Sequence, residues 1–326
     1  MYMRLQASIP FVIMVVLMAA ASSVASAQPW PTKSISVVVP FSAGSATDII
    51  GRTVFEQVGK QLGTTVLVEN RVGAGGTLAE GAVARAAPDG YTILFASSAH
   101  TVAPLIQKNL PYDPRKDLVA LTPVATQPNV LVVSPSKGVT TLKELVDLGR
   151  AKPGSLNYAT VGLGTASHVI SERLRKVGGF EATMIPFKGS AEGMTEVMTG
   201  RVDFFFTPIL PALSLLQDRK IIPLAVASKS RATALPDVPT TIEAGFPNSE
   251  YEFWFGAFLP ANTPRHISER LHREILEAVK VPVVYERISN LGGEVFTMSS
   301  SAFETYVQKE FEANEQFVRE SGLNNN

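Results

Sequence analysis

Hydrophobic positions along the chain alternate between two kinds of segment. Short continuous apolar runs rich in β-branched residues, at 34–39, 65–69 and 91–96, indicate buried strands. The stretches 48–62 and 78–87, which follow the first two runs, are typical of helices. Continuous apolar runs of this length that alternate with helices predict parallel strands covered on both faces.

The same alternation starts again in the second half of the chain. An apolar run at 130–133 precedes it, and the further predicted strands are 155–160, 184–187, 202–206 and 224–228. The predicted helices among them are 167–177 and 191–198. Two successive sets of strands and helices indicate two α/β lobes, which the length of the chain also allows.

The C-terminal segment predicts amphipathic helices without strands of their own. Apolar residues recur every four positions at Ile267, Leu271, Ile275 and Val279, and again at Phe303, Val307 and Phe311. Such faces need a surface to cover, so we expect these helices to return to the first lobe. The chain would then cross between lobes at 124–133 and 251–260. We therefore predict one lobe from residues 28–126 plus 253–326, and a second from 127–252.

The first 27 residues have the features of a secretory signal peptide. Arg4 precedes an apolar run at 9–21, and Ala25, Ser26 and Ala27 supply small residues at the spacing a signal peptidase needs. A membrane span would require about 20 apolar residues. We therefore expect residues 1–27 to be removed and the mature protein to act outside the inner membrane.

Charge and composition exclude several classes of function. The chain has 29 basic and 29 acidic residues and no cysteine. Without a basic run it lacks the electrostatic features of proteins that bind nucleic acids or anionic lipids. Without cysteine it can form neither disulfides nor thiolate metal sites. No metal and no cofactor is predicted.

Three predicted strand-to-helix loops, at 40–48, 160–167 and 187–191, are rich in glycine and small residues. Small residues let backbone N–H groups approach a ligand, and a helix N-terminus carries partial positive charge. Together they can bind an anion. Any such turn can also carry Gly and Ser only to turn the chain and cap the helix. Two of these loops in separate lobes, both at the C-terminal ends of strands, favour a ligand site.

Patterns that indicate catalysis are weak by comparison. The histidines have no metal-ligand spacing, and the S-x-x-K match at 134–137 lacks its partner motifs. His168, at a helix start beside the second loop, could donate to a ligand or have a purely structural role. Ser45 and Asp48 fit an S-x-x-D cap, so capping is the first interpretation of that acidic residue. We therefore do not predict an enzyme.

Seven motifs then occur in one order along the chain. They are PFxxGxxxD at 40–48, VENRxGAGG at 68–76, APDGYT at 87–92, LPYDP at 110–114, LNYA at 156–159, PFKG at 186–189 and LPDVPT at 235–240. With these motifs the sequence resembles the substrate-binding proteins of tripartite tricarboxylate transporters, the Bug/TctC family. The resemblance runs from about Ile35 to the C-terminal helix.

The resemblance implies a fold and a function. The fold is an α/β, two-domain clamshell of the type II periplasmic-binding-protein class, in which each lobe is a sheet flanked by helices. The function is to capture a small carboxylate in the periplasm and hand it to the membrane permease subunits of the transporter. A monomer is expected. The alternative is a sensor role, in which the ligand-bound form is presented to a membrane receptor kinase.

The resemblance also implies how a carboxylate is held, through backbone amides of the first loop and ordered waters, with few charged side chains. Carried onto this sequence, the candidate ligand-binding residues are Phe41, Ser42, Ala43, Gly44, Ser45, Ser97, Ser98, Gly162, Gly164, Thr165, Ala166, Phe187 and Lys188. We add His168, from the second loop, and Thr207, which follows the strand 202–206.

Two of these positions depart from the family pattern. Ser45 stands where a second glycine is common and adds a hydroxyl group. Thr207 stands where the family often has an acidic residue, which in members that bind amino acids pairs with the ammonium group. Its absence disfavours an amino acid and favours a dicarboxylate or an aromatic acid.

Overall fold

A computed structural model describes residues 30–107, 109–321 and 323 of the chain. The chain divides into two units, 1–32 and 33–326, and every element described below belongs to the second. The predicted signal peptide lies outside the described residues. Within them, no helix combines the length and the hydropathy that a bilayer crossing requires.

The structure is built from alternating strands and helices. In chain order they are β1 (Ile35–Val39), α1 (Ala46–Leu62), β2 (Val66–Asn70), α2 (Thr77–Ala84), β3 (Thr92–Ser97), α3 (Ala103–Ile106), β4 (Leu118–Thr126), β5 (Asn129–Val133), α4 (Leu142–Ala151), β6 (Leu156–Thr160), α5 (Ala166–Gly178), β7 (Ala182–Pro186), α6 (Ser190–Met198), β8 (Phe204–Pro208), α7 (Ile209–Gln217), β9 (Ile222–Val226), β10 (Trp254–Pro260), α8 (Arg265–Ala278), α9 (Pro282–Asn290), β11 (Glu294–Val295) and α10 (Ser300–Ser321).

The strands form two sheets. Sheet A has the order β11-β4-β10-β3-β1-β2, and sheet B has the order β7-β6-β8-β5-β9. The strands of sheet A come from two separate parts of the chain, before and after those of sheet B. This arrangement agrees with a chain that crosses twice between two lobes. The lobe boundaries themselves, after residues 126 and 252, stay a prediction.

The prediction of parallel strands is correct for only part of each sheet. β1 pairs in parallel with β2 and β3, and β6 pairs in parallel with β7 and β8. The remaining pairs are antiparallel, including β10 with β3 and β5 with β8. β4 and β10, which overlap the predicted crossings, were not predicted as strands. Both run through stretches that contain proline, which weakens the strand signal.

Helix α1 begins where its sequence predicts. The Ser45 side chain accepts a hydrogen bond from the Asp48 N–H at 3.3 Å, as expected for an N-cap. The helix ends at Gly63, whose φ of 64° is left-handed and suits glycine. The start of α1 is thereby fixed at the C-terminal end of β1, the edge of the sheet where ligands bind in α/β folds.

The C-terminal helix packs on sheet A, as predicted from its apolar face. Phe303 is fully buried and meets Trp254 edge to face, with ring centroids 5.2 Å apart. Val307 and Phe311 lie in the same apolar cluster as Val38 and other residues of sheet A. Burial of such aromatic side chains is a main source of stability for this face.

Sheet B is covered on both faces. One face packs residues such as Leu131 and Phe204 against helices α4 and α5. The other packs Val132 and Phe205 against α6 and α7. Phe204, Phe205 and Phe206 are all buried because successive strand residues point to opposite, equally covered faces. A sheet covered in this way holds the starts of its following helices at fixed positions.

Candidate ligand-binding cleft

A cleft lies at the ends of the strands of both sheets and has a cavity volume of 460 Å³. This volume is within the range of about 300–1,000 Å³ that is usual for small-molecule sites. Its lining comes from β8 and the residues after it, from the loops after β1, β2, β3, β6 and β7, from the two segments that connect the sheets and from the turn after α9. The cleft therefore brings together residues far apart in sequence.

The first loop contributes a continuous stretch, residues 41–47, to the lining. The predicted residues Phe41, Ser42, Ala43, Gly44 and Ser45 all lie in it. The Gly44 N–H donates to Asp48 Oδ2 at 2.9 Å, so this amide already has an acceptor within the protein. The first-turn amides of α1 have no acceptor within the helix and lie at the same side of the cleft.

Asp48 holds this loop in place. Its carboxylate accepts from Arg52 Nε at 2.9 Å and from Asn70 Nδ2 at 2.8 Å, in addition to Gly44. Asn70 Nδ2 also donates to the Phe41 carbonyl at 2.8 Å. Burial alone would raise the pKa of Asp48, but these hydrogen bonds and the Arg52 charge outweigh it and lower that pKa. Asp48 is thus an ionised anchor behind the loop.

The second loop is only partly in the lining. Thr165 and Ala166 line the cleft, together with Val161 and Ser167, whereas Gly162 and Gly164 do not. Gly164 adopts a φ of 76°, and a Cβ there would lie 2.6 Å from Cα of Ala103. The glycine is therefore required for close packing between the loop and helix α3.

His168 lies behind this loop and outside the cleft lining. It is 1% exposed, and its Nδ1 accepts from the Gly164 N–H at 3.1 Å. Burial lowers the pKa of His168, which favours the neutral ring that can accept this bond. Of the two roles considered for His168, this geometry supports the structural one.

The third loop adds Lys188, Gly189, Ser190 and Ala191 to the lining. Phe187 lies outside it: its N–H donates to the Thr160 carbonyl at 2.8 Å, and its side chain packs on sheet B. Among the described residues that line the cleft, Lys188 is the one with a charged side chain. No carboxylate of the described residues lines the cleft to pair with an ammonium group.

Four helices start at the cleft. Residues of the first turns of α1, α5, α6 and α7 all contribute to its lining. The N-caps of α5, α6 and α7 make no side-chain capping hydrogen bond, so the first-turn N–H groups of these helices keep their donor capacity, except that Pro211 in α7 has no N–H. Each N-terminus also carries partial positive charge. The cleft is therefore suited to an anion even though it has little formal charge.

The remaining predicted residues lie at different depths. Ser97 lines the cleft, and its Oγ accepts from the Ala99 N–H at 3.4 Å. Ser98 and Thr207 are fully buried beside the lining, and their hydroxyl groups have no partner among the described residues. Phe206 and Pro208, on either side of Thr207, do line the cleft.

The ligand-binding residues predicted from the sequence do not include one part of the lining. Gln127 and Asn129 line the cleft next to apolar residues of β8, of the start of α7 and of later segments, namely Phe206, Pro208, Leu210, Pro211, Phe253 and Leu291. Gln127 and Asn129 are the two residues with side-chain amides in the mostly apolar stretch 118–133, which is the one signal that could have identified them. Among the described residues, no group of three or more His, Asp or Glu side chains is placed to hold a metal ion.

Comparison with known proteins agrees with this architecture. Residues 50–323 match the tripartite tricarboxylate transporter family receptor. A UPF0065 protein of Bordetella pertussis is 34% identical over 311 residues, which cover 95% of each chain. The solved structure of periplasmic binding protein BugD matches with a TM-score of 0.82 at 30% identity, over 90% of this chain and 99% of that one.

A protein of R. palustris solved with adipate is similar to the same degree. It has a TM-score of 0.83 at 30% identity, over 90% of this chain and 98% of the other. The chain therefore belongs to the tripartite tricarboxylate transporter receptor family, as its motifs indicated. Its fold is the two-lobed α/β fold of periplasmic binding proteins. The family and the fold are those of solute-binding receptors and not of enzymes.

Proposed function

We propose that the protein captures a small carboxylate, a dicarboxylate or an aromatic acid, in the periplasm for the permease subunits of a tripartite tricarboxylate transporter. The observation that carries the proposal is the convergence of four helix N-termini on one cleft. Partial positive charge and unpaired amide donors at these positions stabilise an anion.

The charge of the lining supports an acid without an amino group. An ammonium group placed beside helix N-termini would be repelled, and it would find no carboxylate among the described lining residues. A carboxylate instead meets amide donors and the Lys188 side chain. The R. palustris relative that was solved with adipate supports the same class of ligand.

The test is a thermal-shift titration of the purified protein with adipate, malate and benzoate, each beside its uncharged amide. We expect at least one acid to raise the melting temperature and the amides to have no effect. A ligand at 100 times its dissociation constant stabilises a protein by about 2.7 kcal/mol. Stabilisation by amino acids alone, or by none of the acids, would contradict the proposal.

Lys188 provides a matched variant. Lys188→Gln removes the charge at the cleft and is expected to weaken carboxylate binding roughly two- to fivefold, as for an exposed ion pair. Lys152→Gln, at an exposed position outside the lining, should leave binding unchanged.

Uptake measurements then separate transport from sensing. Cells without the protein should lose uptake of the stabilising acid, whereas loss of a transcriptional response with intact uptake would favour the sensor role.

A further inference from the structure

Residues of the segments that connect the two sheets, of the end of β8 and of the turn after α9 form one end of the cleft, which we call the apolar end: Gln127, Asn129, Phe206, Pro208, Phe253 and Leu291. Hydrogen bonds and strand pairing connect several of these residues. Gln127 N–H donates to the Phe253 carbonyl at 2.8 Å, and its Nε2 donates to the Leu291 carbonyl at 2.5 Å. Asn129 pairs with Pro208 across strands β5 and β8.

We propose that the apolar end binds the body of a monocarboxylic acid with an aromatic ring, and that Asn129 determines specificity by hydrogen bonding to a neutral polar group on that ring. The inference rests on the proposed function, since the carboxylate itself would lie at the N-termini of α1, α5 and α6, on the side of Lys188. It assigns a ligand class and a residue to the part of the cleft that those helices leave unexplained.

The state of the Asn129 side chain is the first argument. Asn129 is 1% exposed, and its Nδ2 is buried without a hydrogen-bond partner among the described residues. Buried polar groups are rarely left unpaired, because they lose their hydrogen bonds to water. An apolar side chain of similar volume would fill this position without that cost. A ligand that hydrogen bonds to the amide explains why an asparagine stands here.

The distribution of charge is the second argument. Lys188 follows β7, and β6 and β8 lie between β7 and β5, where Asn129 begins its strand. Three strand spacings place these positions roughly 14 Å apart. A second carboxylate at the apolar end would therefore be desolvated without a cation nearby, which is unfavourable.

The start of α7 strengthens this argument. This helix begins beside Asn129, but its first turn includes Pro211, which has no N–H to donate. The apolar end thus offers aromatic and aliphatic surface, one unpaired amide nitrogen and a helix start with fewer N–H donors than those of α1, α5 and α6. This combination suits a ring that carries a hydroxyl or another neutral group better than it suits a second ionised acid.

The experiment is isothermal titration calorimetry of the purified protein with benzoate, 4-hydroxybenzoate, adipate and malate. We expect the dissociation constants of the two benzoates to be at least about tenfold lower than those of the dicarboxylates. We expect 4-hydroxybenzoate to bind more tightly than benzoate. Tightest binding of adipate or malate would overturn the inference while leaving the proposed function intact. Binding of none of the four acids would contradict the proposed function itself.

Asn129→Leu tests the residue. It should weaken binding of 4-hydroxybenzoate about three- to tenfold, leave that of benzoate nearly unchanged, and maintain or raise the melting temperature of the ligand-free protein. Asn290→Leu, at an exposed position outside the cleft lining, is the control. If Asn129→Leu instead lowered the ligand-free melting temperature and weakened both benzoates equally, the amide would be structural and the inference wrong.

Discussion

Asp48 lies close to the cleft, but its role is to hold the first loop in place and not to bind the ligand. It is 3% exposed and accepts hydrogen bonds from Gly44, Arg52 and Asn70. A carboxylate behind a proposed anion site would repel the ligand if its charge were not offset. The Arg52 guanidinium and the amide donors offset it, and the same bonds fix the geometry of the first loop.

We predict that Asp48→Asn destabilises the protein by about 1–3 kcal/mol near pH 7, because charge-assisted bonds to a buried group are lost. The pKa of Asp48 is lowered in the folded protein, so its contribution is present above the unfolded-state value of about 4. The contribution is lost as the pH falls from there through the lowered pKa. Urea denaturation measures the free energy of unfolding of the original protein and of Asp48→Asn between pH 3 and pH 7. The difference between these two free energies should shrink below about pH 4.

The control for this prediction is Asp218→Asn. Asp218 is exposed and pairs with Lys220 at the surface, so its replacement should change stability by less than about 1 kcal/mol. An Asp48→Asn protein that matched this control at pH 7 would show that the hydrogen bonds of Asp48 contribute nothing to the fold.

Individual residues differ in how far the sequence predicts them. The Ser45 and Asp48 cap was predictable because both partners lie within four residues of each other. Asn129 was not, because its significance depends on Pro208 beside it and on the cleft in front of it. Such contacts join parts of the chain that a local pattern cannot connect.

At the scale of elements, helix α10 combines an apolar face with one partly buried acid, Glu310. Glu310 accepts from Trp254 Nε1 at 2.8 Å, from Tyr306 Oη at 3.1 Å and from Thr101 Oγ1 at 3.3 Å. Burial raises the pKa of Glu310 to about 7, although these bonds and the nearby Arg173 act to lower it. The helix is therefore anchored to sheet A by a carboxyl group that is easily kept neutral.

We predict that Glu310 makes the stability of the protein depend on pH. The folded-state pKa of Glu310 is raised, so the folded protein holds a proton that the unfolded chain releases above about pH 4.3. Stability should fall as the pH rises from there through about 7, by an amount on the order of 1–3 kcal/mol. Thermal denaturation should show that the melting temperature decreases less between pH 5 and pH 8 in Glu310→Gln than in the original protein.

Glu312→Gln provides the comparison, since Glu312 lies on the same helix at an exposed position. The Glu312→Gln protein should show the same decrease in melting temperature between pH 5 and pH 8 as the original protein. If Glu310→Gln and Glu312→Gln behaved alike, the ionisation of Glu310 would not be the cause of the pH dependence.

Elements also differ in how well the sequence predicts them. The repeated apolar positions of α10 predicted both the helix and its packing, because a period near 3.6 is a strong local signal. Strands β4 and β10 pair with each other from distant parts of the chain, with shifts in register. Their pairing depends on a partner more than a hundred residues away, so a single segment carries little information about it.

At the scale of the whole described structure, the apolar core does not stop at the edge of either sheet. Val102, beside α3, and Phe317, near the end of α10, belong to the same buried cluster as Leu131 and Phe204 of sheet B. Arg173 of α5 donates to Asn314 of α10 at 3.1 Å and adds a polar connection. Because α5 starts at the cleft, α10 supports one side of the ligand site.

The continuous cluster predicts that sheets A and B unfold together. We expect a single transition in differential scanning calorimetry, with equal calorimetric and van't Hoff enthalpies. Phe317→Ala, which removes a buried ring from the junction, should destabilise the protein by about 3 kcal/mol and lower this transition as a whole. Gln316→Ala, at the exposed neighbouring position, should have little effect.

Two separate transitions in the original protein would instead mean that each sheet has an independent core. In that case α10 would only join two lobes that are already stable, and the support it gives to the cleft through α5 would not depend on packing at Phe317.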